Sequence, residues 1–162
     1  MSVRSGIGYD SHRLAHGRRL ILGGIELAAE LGLDGHSDAD VLSHAITDAL
    51  LGAAGLGDIG EHFPDTEERY RDADSIGLLR EAVAKVHESG FELVNVDATV
   101  VMEAPKLGAA REAIRASLAG ALGLGRADVN VKASTGEGIG FVGRGEGVAA
   151  LAIVTLISRS DA

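Results

Sequence analysis

The chain has 162 residues, 46% of them hydrophobic and 24% charged, which is enough for one globular domain with a real core and too little for two. It contains no cysteine, so disulfides, thiolate zinc sites, iron–sulfur clusters and cysteine nucleophiles are excluded, and any metal must be held by His, Asp or Glu. With 15 basic and 24 acidic residues the net charge is −9, which removes the footprint of a general nucleic-acid binder but leaves room for a phosphate-rich small ligand held by local cations or metal.

Residues 3–10 and 20–25 read as short strands separated by a polar turn over 13–19. Residues 39–54 read as an amphipathic helix with Val41, Leu42, Ala45, Ile46, Ala49, Leu50 and Ala53 on its apolar stripe, and Ser37 with Asp40 fits a capping box at its start. After the irregular segment DIGEHFPDTEE, the spacing of Ile76, Leu79, Val83 and Val86 predicts a second helix ended by Gly90. Residues 91–102 form a strand alternating at Val94, Val96, Ala98 and Val100, and Pro105 suits the first turn of a third helix carrying Leu107, Ala110, Ile114 and Leu118. Two further strands occupy 128–133 and 146–157. The last is apolar on both faces, and one layer of helices covers only one of them, so the other is expected to be an oligomer interface. Its longest apolar run, Val148 to Ile157 with Thr155 inside, is far below the roughly 20 residues of a membrane span. The N-terminal MSVRSGIGYD has no apolar signal region, and a soluble cytoplasmic protein is expected.

Asp10 and His12 are two apart on a predicted strand and therefore share a face. A carboxylate and an imidazole side by side suit zinc, although a D-x-H pair is also common at strand ends. The long helix adds Asp40, His44 and Asp48 at successive turns, a row read either as a solvated face or as a ligand histidine flanked by carboxylates. Two His and one Asp would make three ligands and leave a fourth tetrahedral position open, the pattern of a catalytic zinc. His36 and Ser37 precede the helix, where backbone N–H groups favour a phosphate, and Ser37 could equally be only a cap. Asp58 and Asp65 bracket Gly60 and Phe63 in a loop. The stretch GIGFVG matches G-x-G-x-x-G in form but not in context, since a strand and not a helix follows it. Lys132, Ser134, Thr135 and Glu137 nearby supply a cation, two hydroxyls and a carboxylate for a second divalent ion, and Arg144 and Glu146 follow in the same loop.

The ordered set GYDSH, GHSDADVLSHAITDALLGAAGLGDIGEHFPDT, VVMEAPK and VKASTGEGIGFVGRGEG resembles the 2-C-methyl-D-erythritol 2,4-cyclodiphosphate synthases along nearly the whole chain. The resemblance implies a single domain over 1–162 of α+β class, a two-layer sandwich in which a mixed sheet carries helices on one face and turns the other to the axis of a homotrimer. It implies conversion of 4-diphosphocytidyl-2-C-methyl-D-erythritol 2-phosphate to the cyclic diphosphate and CMP, in non-mevalonate isoprenoid synthesis.

Carried over by motif, Asp10, His12 and His44 would bind zinc, and His36 and Thr135 would stabilise the transferring phosphoryl group. Asp10, Ser11 and His12, with His36 and Ser37, would also touch substrate. Asp58, Gly60, Phe63 and Asp65 would hold the methylerythritol portion, and their neighbours Ile59, Pro64, Thr66 and Glu67 would also touch substrate. The segment Met102, Glu103, Ala104, Pro105, Lys106 and the segment Ser134, Thr135, Gly136, Glu137 would receive cytidine and diphosphate from the adjacent subunit, with Glu137 near a Mg²⁺ or Mn²⁺. Phe141 and Arg144 fall in a ligand-contacting loop. The sequence departs from the family in placing Gly136 and Gly138 around Glu137, where Thr or Asn and Lys are frequent, which removes the basis for side-chain contacts there and leaves Glu137 in place. Two other readings fit the composition: a zinc phosphohydrolase in which metal-bound water attacks, and a non-catalytic trimeric protein that binds zinc or a cytidine nucleotide.

Overall fold

The computed structural model describes residues 2–159; Met1 and residues 160–162 of the unit expected over 1–162 lie outside the described residues. The frame is a five-stranded mixed sheet in the order β4-β1-β7-β5-β6. Strand β1 (Val3–Ala15) pairs antiparallel with β7 (Gly147–Ser158) from Val3↔Ile157 to Arg13↔Gly147. β5 (Phe91–Val101) is antiparallel to β7 on its other side and parallel to β6 (Val129–Ser134), and β4 (Gly32–Asp34) closes the edge beside β1. A small hairpin of β2 (Leu20–Leu22) and β3 (Ile25–Leu27) lies apart from this sheet.

Helices α1 (Val41–Ala54), α3 (Ser75–Glu88) and α4 (Ala110–Leu122) cover one face of the sheet, and α2 (Ile59–His62) and α5 (Gly140–Gly143) are single turns. The core between the layers is built from Leu42, Ile46, Leu50 and Leu51 of α1, Leu79 of α3, Ile114 and Leu118 of α4, and Val96, Val100, Val154 and Leu156 of the sheet. The opposite face exposes Ile7 (68%), Tyr9 (55%), Leu151 (40%) and Ile153 (51%), and the pairings Ile7↔Ile153 and Tyr9↔Leu151 place these four side chains together in one apolar strip. The two-layer, one-sided arrangement expected from the sequence is thus present.

One feature of β1 sets the position of everything functional. Its helix-facing residues run Gly6, Gly8, Asp10, His12 at the strand period of two. A methyl group on Gly6 would collide with the Ala49 carbonyl and Ala53, and one on Gly8 with the Ala45 carbonyl and the Ala49 amide. Glycines opposite the alanine ridge of α1 therefore let helix and strand backbones touch, which brings His44 over the end of the strand where Asp10 and His12 stand.

Several local expectations are corrected. The helix begins at Val41 and its N-cap is Asp40, whose side chain accepts the Ser43 N–H; the Ser37–Asp40 capping box is not formed because Ala39, at φ 57°, breaks helical geometry between them. Pro105 lies before α4 and not in its first turn, since Gly108 at φ 44° interrupts the backbone ahead of Ala110. Residues 20–25 are not one strand but a hairpin turning at Gly23 and Gly24, both at positive φ, and β1 continues through part of the expected 13–19 turn to Ala15. A register shift between Leu93 and Asn95 turns Val94 outward, so the alternation expected from Val94 starts only at Val96.

Candidate active site

Ligand atoms of Asp10, His12 and His44 lie within 4.8 Å of one another. Asp10 Oδ2 is 2.9 Å from His12 Nε2 and 3.0 Å from His44 Nδ1, and the two ring nitrogens are 3.2 Å apart. The other nitrogen of each ring is already engaged: His12 Nδ1 donates to the Asp34 carbonyl at 2.9 Å, and His44 Nε2 lies 2.8 Å from Ser75 Oγ and 3.1 Å from Ser37 Oγ. Because a carbonyl only accepts, His12 keeps its proton on Nδ1 and turns a lone pair on Nε2 toward the cluster. The Asp10 carboxylate oxygen and the His12 lone pair thus converge with His44 Nδ1 on one point, where a positive charge is needed.

That need is visible in the protonation energetics. Burial opposes ionisation of Asp10, but hydrogen bonds to His12 and His44 and their charges outweigh it and hold its carboxyl down at about 2. Burial likewise works against a charged His12, and the Asp10 carboxylate overcomes it and raises the imidazole. A proton supplies the missing charge in part. A divalent cation supplies it fully, and the donor set of two imidazole nitrogens and one carboxylate oxygen, with the outer nitrogens tied down, fits such an ion with a coordination position to spare.

The row Asp40–His44–Asp48 is corrected by the geometry. Asp40 is fully buried and accepts from Gly23 N, Gly24 N, Ser43 N and Ser43 Oγ, and Asp48 accepts from Ile59 N. Neither carboxylate serves His44. Complete burial raises the Asp40 carboxyl above its usual range, with the bonds from Ser43, Gly23 and Gly24 pulling the other way.

A cavity of about 480 Å³ opens beside the triad. Of the residues singled out in the sequence it gathers Asp10, His12, His36, Ser37, His44, Ile59, Gly60, Phe63, Pro64, Asp65 and Thr66, and it adds Gly35, Tyr70 and Leu78, which the sequence reading did not single out. His36 Nε2 donates to the Glu67 carbonyl at 3.2 Å, so Glu67 enters through its backbone while its carboxylate pairs with Arg69. Asp58 does not line the cavity: it caps α2 by accepting the Glu61 N–H at 3.0 Å. Phe63 is clamped edge-on against Tyr70 at 5.6 Å between ring centroids.

The second group of residues stands elsewhere on the chain. Ser11 faces away from the triad, because it is one residue out of phase on β1, and with Phe141 it lines a smaller hollow of about 190 Å³. Glu103, Ala104 and Pro105 line another cavity, with Leu14 and Val142, while Met102 is buried and Lys106 exposed. Thr135 Oγ1 donates to Glu137 at 2.7 Å, and Arg144 is engaged by Glu146 at 2.8 Å. Lys132 is held by Asp97 at 2.7 Å, outside this group.

Gly136 has a structural reason. Its N–H donates to Glu103 at 2.5 Å, and a Cβ there would press on Gly143 N and the same Glu103 carboxylate. Ser75, a direct partner of His44, is also missed by sequence reading. It lies 31 positions from His44 on another helix, and no periodicity connects the two.

A profile described as the YgbB family matches residues 3–157 of the chain. The chain is 59% identical over 157 residues to a 2-C-methyl-D-erythritol 2,4-cyclodiphosphate synthase from Desulfosudis oleivorans, covering 97% of this chain and 94% of the relative. Its fold matches a solved structure of 2C-methyl-D-erythritol-2,4-cyclodiphosphate synthase in a CDP-bound form with a TM-score of 0.88 at 41% identity, covering 95% of this chain and 100% of that one. It also matches the bifunctional IspDF of Campylobacter jejuni with a TM-score of 0.94 at 46% identity, covering 99% of this chain and 43% of that one.

Proposed function

This chain belongs to the YgbB family, and from that premise we propose that it cyclises 4-diphosphocytidyl-2-C-methyl-D-erythritol 2-phosphate to 2-C-methyl-D-erythritol 2,4-cyclodiphosphate, releasing CMP, as a metal-dependent lyase of non-mevalonate isoprenoid synthesis. Residues 1–162 act as a single cyclodiphosphate synthase domain in this reading. The observation that carries it is the convergence of Asp10, His12 and His44 at the mouth of a cavity large enough for a phosphorylated polyol, in a chain near 59% identity to a named synthase.

In the reaction a 2-phosphate oxygen attacks the β-phosphorus of the diphosphate. A P–O bond closes the ring while the bond from that phosphorus to the CMP oxygen breaks, and CMP leaves with the electron pair. No external nucleophile is needed, so the protein's task is positioning and charge stabilisation. Asp10, His12 and His44 would hold zinc, and Glu137 a Mg²⁺ or Mn²⁺; such cations supply Lewis-acid stabilisation of the charge developing on phosphate oxygens. His36 is braced through Nε2–H against the Glu67 carbonyl, so that only as the imidazolium would it donate from Nδ1 to a phosphoryl oxygen, and Ser37 stands beside it at the cavity wall. Ile59, Gly60, Phe63, Pro64, Asp65 and Thr66 shape the pocket for the methylerythritol unit, with Asp58 and Glu67 holding the ends of that loop.

Met102–Lys106 and Ser134–Glu137 do not line this cavity, which supports a site completed by a neighbouring copy, with Thr135 contributed as a donor to the transferring group. Ser11, Phe141 and Arg144 are assigned to substrate contacts at the same junction. The exposed strip of Ile7, Tyr9, Leu151 and Ile153 supports a homotrimer closed through the open sheet faces. Among the described residues no helix is long and apolar enough to cross a membrane, and we place the enzyme in the cytoplasm.

Product analysis tests the proposal. Phosphorus NMR of the authentic substrate with protein, zinc and Mg²⁺ is expected to give CMP and a cyclic diphosphate in equal amounts. Persistence of the substrate under these conditions would contradict it.

A further inference from the structure

We propose that Ser75 is a positioning residue for the metal triad: its hydroxyl, anchored by Asp38, fixes the imidazole proton of His44 on Nε2 and so keeps Nδ1 open as a ligand atom. The inference rests on reading Asp10, His12 and His44 as a metal centre.

His44 Nε2 lies 2.8 Å from Ser75 Oγ, and Ser75 Oγ donates to Asp38 Oδ1. A serine hydroxyl has a single proton. With that proton given to a carboxylate, which only accepts when ionised, the oxygen can only accept toward His44. His44 therefore carries its proton on Nε2 and presents a lone pair on Nδ1, the atom 3.0 Å from Asp10 Oδ2.

Asp38 is held in place for this role. Its Oδ2 accepts the Ser75 backbone N–H at 3.0 Å, its Oδ1 accepts the Asp40 N–H at 3.1 Å, and its own N–H donates to the Ala73 carbonyl at 3.1 Å. Ser75 is fully buried at the first position of α3, yet its hydroxyl is not needed to cap that helix, because Asp74 accepts the Ile76 N–H. A buried hydroxyl without a capping duty, lying between a ligand histidine and a carboxylate, is what a positioning role requires.

Ser37 makes the loss of Ser75 more than the loss of one bond. Its Oγ is 3.1 Å from the same Nε2 and accepts the Ala39 N–H at 3.2 Å. Without Ser75, the Ser37 hydroxyl is free to donate to Nε2. That arrangement moves the imidazole proton to Nδ1, where it blocks the metal.

The test is zinc affinity measured by competition with a chromophoric chelator on the wild-type protein, Ser75→Ala and Ser75→Thr, with ¹⁵N-histidine NMR of the zinc-loaded wild type. Ser75→Ala is expected to bind zinc about 10–100-fold more weakly, the range found when an outer partner of a ligand histidine is removed. Ser75→Thr keeps the hydroxyl and is expected to recover most of that affinity, a rescue that a merely space-filling serine would not predict. The spectrum is expected to contain a His44 Nε2–H proton that exchanges slowly with solvent. Wild-type zinc affinity in Ser75→Ala overturns the inference, and so does free exchange of that proton in the wild type, which decides the matter even if the variants fail to fold. Absence of zinc binding by the wild type would instead overturn the metal reading itself.

Discussion

At the residue scale, the site is a problem in where protons and charge reside. His44 sits on α1 with its ring on the polar side, so His44→Ala is expected to abolish metal binding and nearly all turnover while leaving the far-ultraviolet circular dichroism unchanged. Full zinc occupancy by elemental analysis in this variant would contradict the ligand assignment. Thr135 is expected to act on the transition state more than on binding. Loss of one such donor in Thr135→Ala should lower kcat on the order of 10²-fold, with KM much less affected, as steady-state kinetics would read out. Asp40 has a different task, since it collects four donors from Gly23, Gly24 and Ser43 in a fully buried position. Asp40→Ala leaves these donors unpaired and should destabilise the fold by about 3 kcal/mol in a denaturant titration.

At the scale of elements, the site depends on how closely α1 lies on β1. Gly8→Ala would force the strand away from the Ala45 carbonyl, and since the obstacle is backbone the shift cannot be absorbed by a rotamer change. A destabilisation on the order of 3 kcal/mol is expected from denaturant unfolding, together with weaker zinc binding as His44 is carried off the strand. Much of this scale is legible in the sequence: the apolar stripe of α1 is unbroken, and the two-residue spacing of Asp10 and His12 predicts a shared face that the structure bears out. The partners of the ligands are not legible. Asp40 and Asp48 have the right helical spacing to flank His44, but nearer backbone donors claim both, whereas the group that does serve His44 comes from α3. Gly6 and Gly8 look like ordinary strand residues until the alanine ridge of α1 is laid against them. The helix expected from Pro105 starts late for a similarly local reason, the left-handed turn at Gly108.

At the scale of the whole molecule, a chain of net charge −9 that handles a diphosphate must concentrate positive charge locally, and bound cations do this without altering the surface. The apolar strip on the open sheet face is the surface through which the proposed trimer would close. Ile153→Lys places a charge in its centre and, in the proposed trimer, is expected to convert an assembly with the mass of three chains to monomers in light scattering, with loss of activity if the sites draw on two chains as proposed. Mixed trimers of Asp10→Ala and Thr135→Ala subunits should regain some turnover, since an interface can join two intact halves. No recovery despite verified mixing would contradict shared sites.

Whether the substrate's own phosphate is the nucleophile is decided by carrying out the reaction in ¹⁸O-labelled water. Intramolecular attack is expected to give, by mass spectrometry, a cyclic diphosphate and CMP, neither containing oxygen from solvent. A linear phosphate product carrying one labelled oxygen would contradict it and identify the protein as a hydrolase.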